Sequence, residues 1–131
     1  MFYYILLPLF IVLAICVHFV LRQRLPLKLQ RFKGRDFMSI NEIHNKYYPD
    51  YKIERFIELW NEIASAVEVP PELIRPTDRF DEVLGPVKGY EIASESDALE
   101  EIFLRRAKKQ QMDFDKMQVE TVDDYIKQFA K

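Results

Sequence analysis

Residues 53–67 read Ile-Glu-Arg-Phe-Ile-Glu-Leu-Trp-Asn-Glu-Ile-Ala-Ser-Ala-Val. Ile53, Phe56, Ile57, Trp60, Ile63, Ala64 and Val67 recur at spacings of three and four, so they share one wide face of a helix. Glu54, Arg55, Glu58, Asn61 and Glu62 take the other side. The predicted helix runs from about Tyr51 to Val67 and is stopped by Pro70-Pro71. Trp60 lies in mid-stripe and reads as core. Such a stripe needs other elements to cover it.

The flanking sequence supplies them. Ser39-Ile40-Asn41-Glu42 has capping-box spacing, and a short helix over about 40–47 follows, closed before Pro49. Its His44 has no second histidine or cysteine nearby, so no metal site is expected. Beyond Pro71, the apolar residues Leu73, Ile74, Phe80, Val83 and Leu84 stand among Pro76, Thr77, Asp78, Gly85 and Pro86. This pattern predicts a long ordered loop with a helical turn at 78–84. Ser94 and Asp97 form a capping pair for a helix ending near Gln111. Ala98, Leu99, Ile102, Phe103 and Arg106 lie along one face of that helix. Residues 112–119 read as a loop or short helical turn. Thr121 to Asp124 then open a last helix that buries Val122, Tyr125, Ile126 and Phe129. Strand patterns are hard to find, and the fold class is all-α.

Phe2 to Leu21 is an uncharged apolar run. Twenty residues of helix span roughly 30 Å, a bilayer's hydrocarbon thickness. The expectation is therefore a single N-terminal transmembrane helix (1–21), a basic juxtamembrane segment (22–35) and a helical domain (36–131). Leu25-Pro26-Leu27 is expected to break the first helix. Arg22, Arg24, Lys28, Arg31, Lys33 and Arg35 are all basic, with no acid among them. By the positive-inside rule the domain would face the cytoplasm from the bacterial inner membrane, with these six charges on anionic lipid headgroups. A chain beginning near Asp36 is expected to fold by itself.

The full chain has 19 basic and 21 acidic residues; without the six of 22–35, 13 basic face 21 acidic, a formal −8 for 36–131. That balance disfavours nucleic acid and favours a protein with a basic patch. The one cysteine, Cys16, excludes an intrachain disulfide. Two distant histidines and three glycines give neither a catalytic constellation nor a phosphate loop, so no enzyme is expected.

The order of these pieces resembles the acyl carrier proteins. Val69-Pro70-Pro71-Glu72-Leu73-Ile74-Arg75-Pro76-Thr77-Asp78-Arg79-Phe80 is similar to that family's exit from its first helix. Asp81 to Gly85, Ala98 to Phe103 and Thr121 to Ile126 resemble later landmarks. The resemblance covers about 53–131 and implies a carrier-like bundle whose acidic second helix, at about 90–110, meets partners. Here that helix carries Glu91, Glu95, Asp97, Glu100 and Glu101, followed by Arg105, Arg106, Lys108 and Lys109. The chain departs from the family after Leu84-Gly85, where Pro86-Val87-Lys88-Gly89-Tyr90 offers no serine for a cofactor. No cofactor is therefore expected. The expected function is a membrane-anchored, carrier-like, non-catalytic protein-interaction module. One alternative is a working acyl or peptidyl carrier with 4′-phosphopantetheine on Ser94 or Ser96. Another is a small membrane immunity-type or regulatory protein that binds a basic partner.

Overall fold

The computed structural model describes residues 3–86 and 95–131; the side chains of 3–5, 21, 24, 25, 95 and 96 lie outside that description. Among the described residues five α-helices follow one another: α1 (Tyr3–Gln30), α2 (Ile40–Tyr47), α3 (Ile53–Val67), α4 (Glu95–Lys109) and α5 (Val122–Phe129). Single 3-10 turns occupy Pro71–Leu73 and Phe114–Lys116. Among the described residues there is no strand, only an isolated antiparallel bridge between Arg79 and Thr121. The helical class expected from the sequence is the class observed.

α3 is the central element, packed against α2, α4, α5 and the turn at 71–73. Phe56, Leu59, Trp60, Ile63 and Val67 are fully buried on it. Leu59 widens the stripe beyond the positions singled out from spacing. The rings of Tyr48, Phe56 and Trp60 stack in sequence, with centroids 5.2 and 5.1 Å apart. Trp60 donates its indole N–H to the carbonyl of Pro71 at 2.9 Å, which satisfies its one polar atom inside the core. α3 ends on Glu68 in the left-handed conformation, φ 55°. The caps behave as their spacing requires. The Ser39 hydroxyl accepts from the Glu42 amide at 3.2 Å, while the Glu42 carboxylate accepts from the Ser39 amide at 2.7 Å. Thr121 and Asp124 form the same box at α5.

The N-terminal expectation is corrected. Among the described residues no helix is long and apolar enough to cross a membrane. The single-pass transmembrane helix, the inner-membrane placement and the cytoplasmic orientation inferred from it are therefore not supported. Beyond Val20, α1 carries Arg22 and Lys28, with Pro26 between them. The described large apolar side chains from Leu6 to Phe19 are exposed.

α1 also does not break at Pro26; it continues to Gln30. Pro26 is exposed, and the turn beyond it is fastened to the domain. Phe32 is buried in the same core as Trp60 and Tyr125, with Leu29 packed against it. This tertiary contact offsets the roughly 3 kcal/mol that an interior proline costs a helix. Gly34, at φ +85°, turns the chain toward α2. That backbone region favours glycine because it has no Cβ.

Candidate functional site

The basic segment is largely engaged by the domain itself. Lys28 is fully buried, and its ammonium donates to the carbonyl of Val67 at the end of α3. A cation there complements the negative end of the helix dipole. Arg35 donates to the carboxylate of Asp78 at 2.7 Å, and the same oxygen accepts from the Arg75 amide at 2.7 Å. Asp78 is 4% exposed, so a buried charge meets both a cation and a backbone donor. The Arg31 guanidinium donates to the carbonyls of Gly85 at 2.7 Å and Pro86 at 2.9 Å. Arg22 and Lys33 are exposed; the side chain of Arg24 lies outside the described residues. Lys28, Arg31 and Arg35, assigned from sequence to lipid headgroups, thus have protein partners 38 to 55 residues away, the nearest in sequence being the Leu73 carbonyl that Arg35 also reaches.

α4 divides by charge. Arg105 and Arg106 of its basic half reach carboxylates of α3, while Lys108 and Lys109 are exposed. Arg106 is 3% exposed and donates to Glu58 at 2.8 Å and to Glu62 at 3.0 Å. Arg105 donates to the other oxygen of Glu62 at 2.6 Å, and the Tyr125 hydroxyl donates to Glu62 at 2.8 Å. The hydrogen bond from Arg106 holds the Glu58 carboxyl below its ordinary pKa. Burial works to raise the pKa of Glu62, but the hydrogen bonds from Arg106 and Tyr125 outweigh it and the net shift is downward. Burial, reinforced by the bond to Glu62, pushes the Tyr125 phenol upward. Glu58 and Glu62 were read from sequence as the solvated side of α3. They are the counter-charges of Arg106, which spacing had placed on the buried face of α4.

The acidic half of α4 faces outward. Asp97, Glu100 and Glu101 are exposed. Glu100 and Glu101 make no ion pair with any described residue. Glu91 and Ser94 lie outside the described residues, as do the side chains of Glu95 and Ser96. Beside Glu100 opens a groove of about 600 Å³, lined by Phe80, Leu99, Phe103 and Phe114 together with Pro86, Asp81 and Glu100. Phe80 and Phe103 meet edge to face at 5.2 Å, and Phe103 stacks on Tyr125 at 5.2 Å. The groove had no local signal in the sequence, because its walls come from three separated segments.

No protein-family model matches the chain, no curated protein matches it, and no solved structure matches it. The site is therefore read from its own chemistry. Among the described residues no group of three or more His, Cys, Asp and Glu could hold a metal ion. His44 directs Nε2 at the carbonyl of Tyr51, 2.7 Å away, and packs its ring on Phe56 at 5.2 Å. Its position is that of a core histidine. The larger groove lined by Tyr47, Arg75, Pro76, Thr77, Arg79, Thr121 and Asp123 contains two cations. Both are occupied: Arg75 donates to the carbonyls of Glu72 and Ile74, and Arg79 pairs with Asp81, Glu82 and Glu120.

Proposed function

We propose that the chain is a non-catalytic, carrier-like helical module that binds a protein partner through the acidic first half of α4. The observation that carries this reading is the unequal fate of the charges on α4. Arg105 and Arg106 are neutralised by Glu58 and Glu62 on α3, whereas Glu100 and Glu101 stand exposed without a counter-ion among the described residues. Lys108 and Lys109 sit in the last turn, where they complement the helix dipole. The first half is left as an outward acidic surface on a domain of formal charge −8. Such a surface attracts a basic protein patch and speeds encounter with it.

The order long helix, loop, helix, short turn and short helix supports the carrier-like part of the reading. The absence of a serine directly after Leu84-Gly85 supports a module that works without the family's cofactor. The experiment is cross-linked capture of a partner by the full chain, its identification, and a dissociation constant measured with the Glu100→Lys/Glu101→Lys variant. Binding should weaken at least about tenfold in the variant and fall with added salt. Equal affinity for the two proteins, insensitive to salt, would exclude the acidic surface as the interface. A working carrier with 4′-phosphopantetheine would instead show an intact-mass gain of roughly 340 Da.

A further inference from the structure

The groove beside Glu100 lies at the acidic end of α4, and its composition differs from that of the remaining surface. Leu99 is buried, while Phe80, Phe103 and Phe114 are half-buried, each presenting part of its ring to the opening. Asp81 and Glu100, the two carboxylates lining it, are exposed. Two cations hold the neighbouring turn: Arg79 meets the carboxylates of Asp81, Glu82 and Glu120, and Arg31 donates to the carbonyls of Glu82, Gly85 and Pro86. With Glu100, four carboxylates face these two cations, so acid remains in excess. Glu101 is exposed on the other flank of α4, in the groove that α4 shares with α3. The one cation next to Phe114, Lys116, is paired with Asp113 at 3.4 Å. An aromatic cleft edged by acid in excess of its cations, with Glu100 unpaired among the described residues, is complementary to an apolar side chain carried on a basic segment.

Resting on the reading of α4 as a partner-binding surface, we propose that this groove receives the apolar stripe of a basic amphipathic helix of the partner. A Leu, Met or Phe would enter between Phe80, Phe103 and Phe114, with flanking Lys or Arg side chains meeting Glu100 and the 79–82 turn. A helix is the fitting shape: no strand edge exists among the described residues to accept an extended peptide, and the groove is of the kind that helices occupy. Apolar contact supplies the affinity, and the acids fix which segments are admitted.

Two labelled peptides of identical Leu and Lys composition test this against the full chain. One places Leu at i, i+3, i+4 and i+7; the other is scrambled so that no stripe forms. The striped peptide should bind at least about tenfold more tightly than the scrambled one. Phe114→Ala should remove that advantage, and Phe114→Leu should restore most of it. Phe114 lies on a three-residue turn outside the buried core, and unchanged circular dichroism would confirm that each variant is folded. Glu100→Lys/Glu101→Lys should weaken both peptides about equally and flatten their salt dependence. If charge reversal weakens binding but stripe and Phe114 make no difference, the groove is not the anchor site, although the acidic surface survives. If stripe and Phe114 matter but charge reversal does not, the basic character assigned to the occupant is wrong. Sedimentation showing a dimer that Phe114→Ala dissociates would give the groove to a second copy and overturn the proposal.

Discussion

Arg106 sits almost without solvent contact between two helices, held by carboxylates on each side of its guanidinium. Removing it leaves Glu62, itself only 17% exposed, to Arg105 and Tyr125, and Glu58 to Arg55. Arg106→Ala should therefore cost about 1.5–3 kcal/mol, read as a lower urea midpoint, because charge-assisted hydrogen bonds are lost while both carboxylates keep other donors. Glu58 and Glu62 both have folded-state pKa values below their ordinary ones. The sign follows. Their stabilisation is complete above the ordinary carboxylate range and is lost as pH falls through the depressed folded values. Wild-type stability should hold from neutrality to about pH 5 and decline below about pH 4; in Arg106→Ala that decline should be shallower. Trp60 gives a simpler case. It is fully buried with its N–H satisfied, so Trp60→Ala should lose about 3–5 kcal/mol by chemical denaturation. A loss below about 1 kcal/mol would be the mark of a surface residue and would contradict its place in the core.

Helices here are bounded by short-range chemistry, and that is the part of the fold legible in sequence. Ser39 with Glu42 and Thr121 with Asp124 each close a box within four residues, so α2 and α5 begin where their spacing says. Thr121→Ala should lower stability by about 1 kcal/mol in urea unfolding. Periodicity likewise identifies α3 and the buried face of α4. What spacing cannot supply is the partner of a charge. Glu62 looks alike on paper with Glu54, and only the packing of α3 on α4 separates them. The same holds for the basic run at 22–35, whose density suggested a surface function and whose members reach carbonyls and a carboxylate far along the chain. The candidate groove was illegible for this reason too. Its residues were seen individually as loop pins and helix-face positions, but their meeting is a tertiary fact. Arg31 is the element-level link to it, since it grips the carbonyl of Pro86, a groove-lining residue. Arg31→Ala should speed hydrogen exchange at the Leu84 and Gly85 amides, which close the 79–85 turn on Arg79 and Glu82. Unchanged exchange there would show that the turn holds itself.

At the scale of the molecule, the question is where the folding unit begins. Composition puts the boundary at Asp36, where the first acid appears. Packing puts it earlier. Phe32 is 3% exposed within the common core, Lys28 is fully buried against the end of α3, and Arg35 partners buried Asp78. A chain beginning at Asp36 loses all three and keeps a formal charge of −8 with no basic segment to offset it. Removing one buried aromatic side chain costs about 3–5 kcal/mol, and stranding Asp78 adds to it, although contributions within one region do not sum simply. Domains of this size are typically stable by only about 5–15 kcal/mol, so the loss is a large fraction of the total. A chain beginning at Arg22 should therefore unfold at a clearly higher urea midpoint than one beginning at Asp36, with the gap widening as salt is lowered and the acidic domain repels itself more strongly. Matching midpoints at low and high salt would mean that residues 22–35 lie on a unit already complete without them.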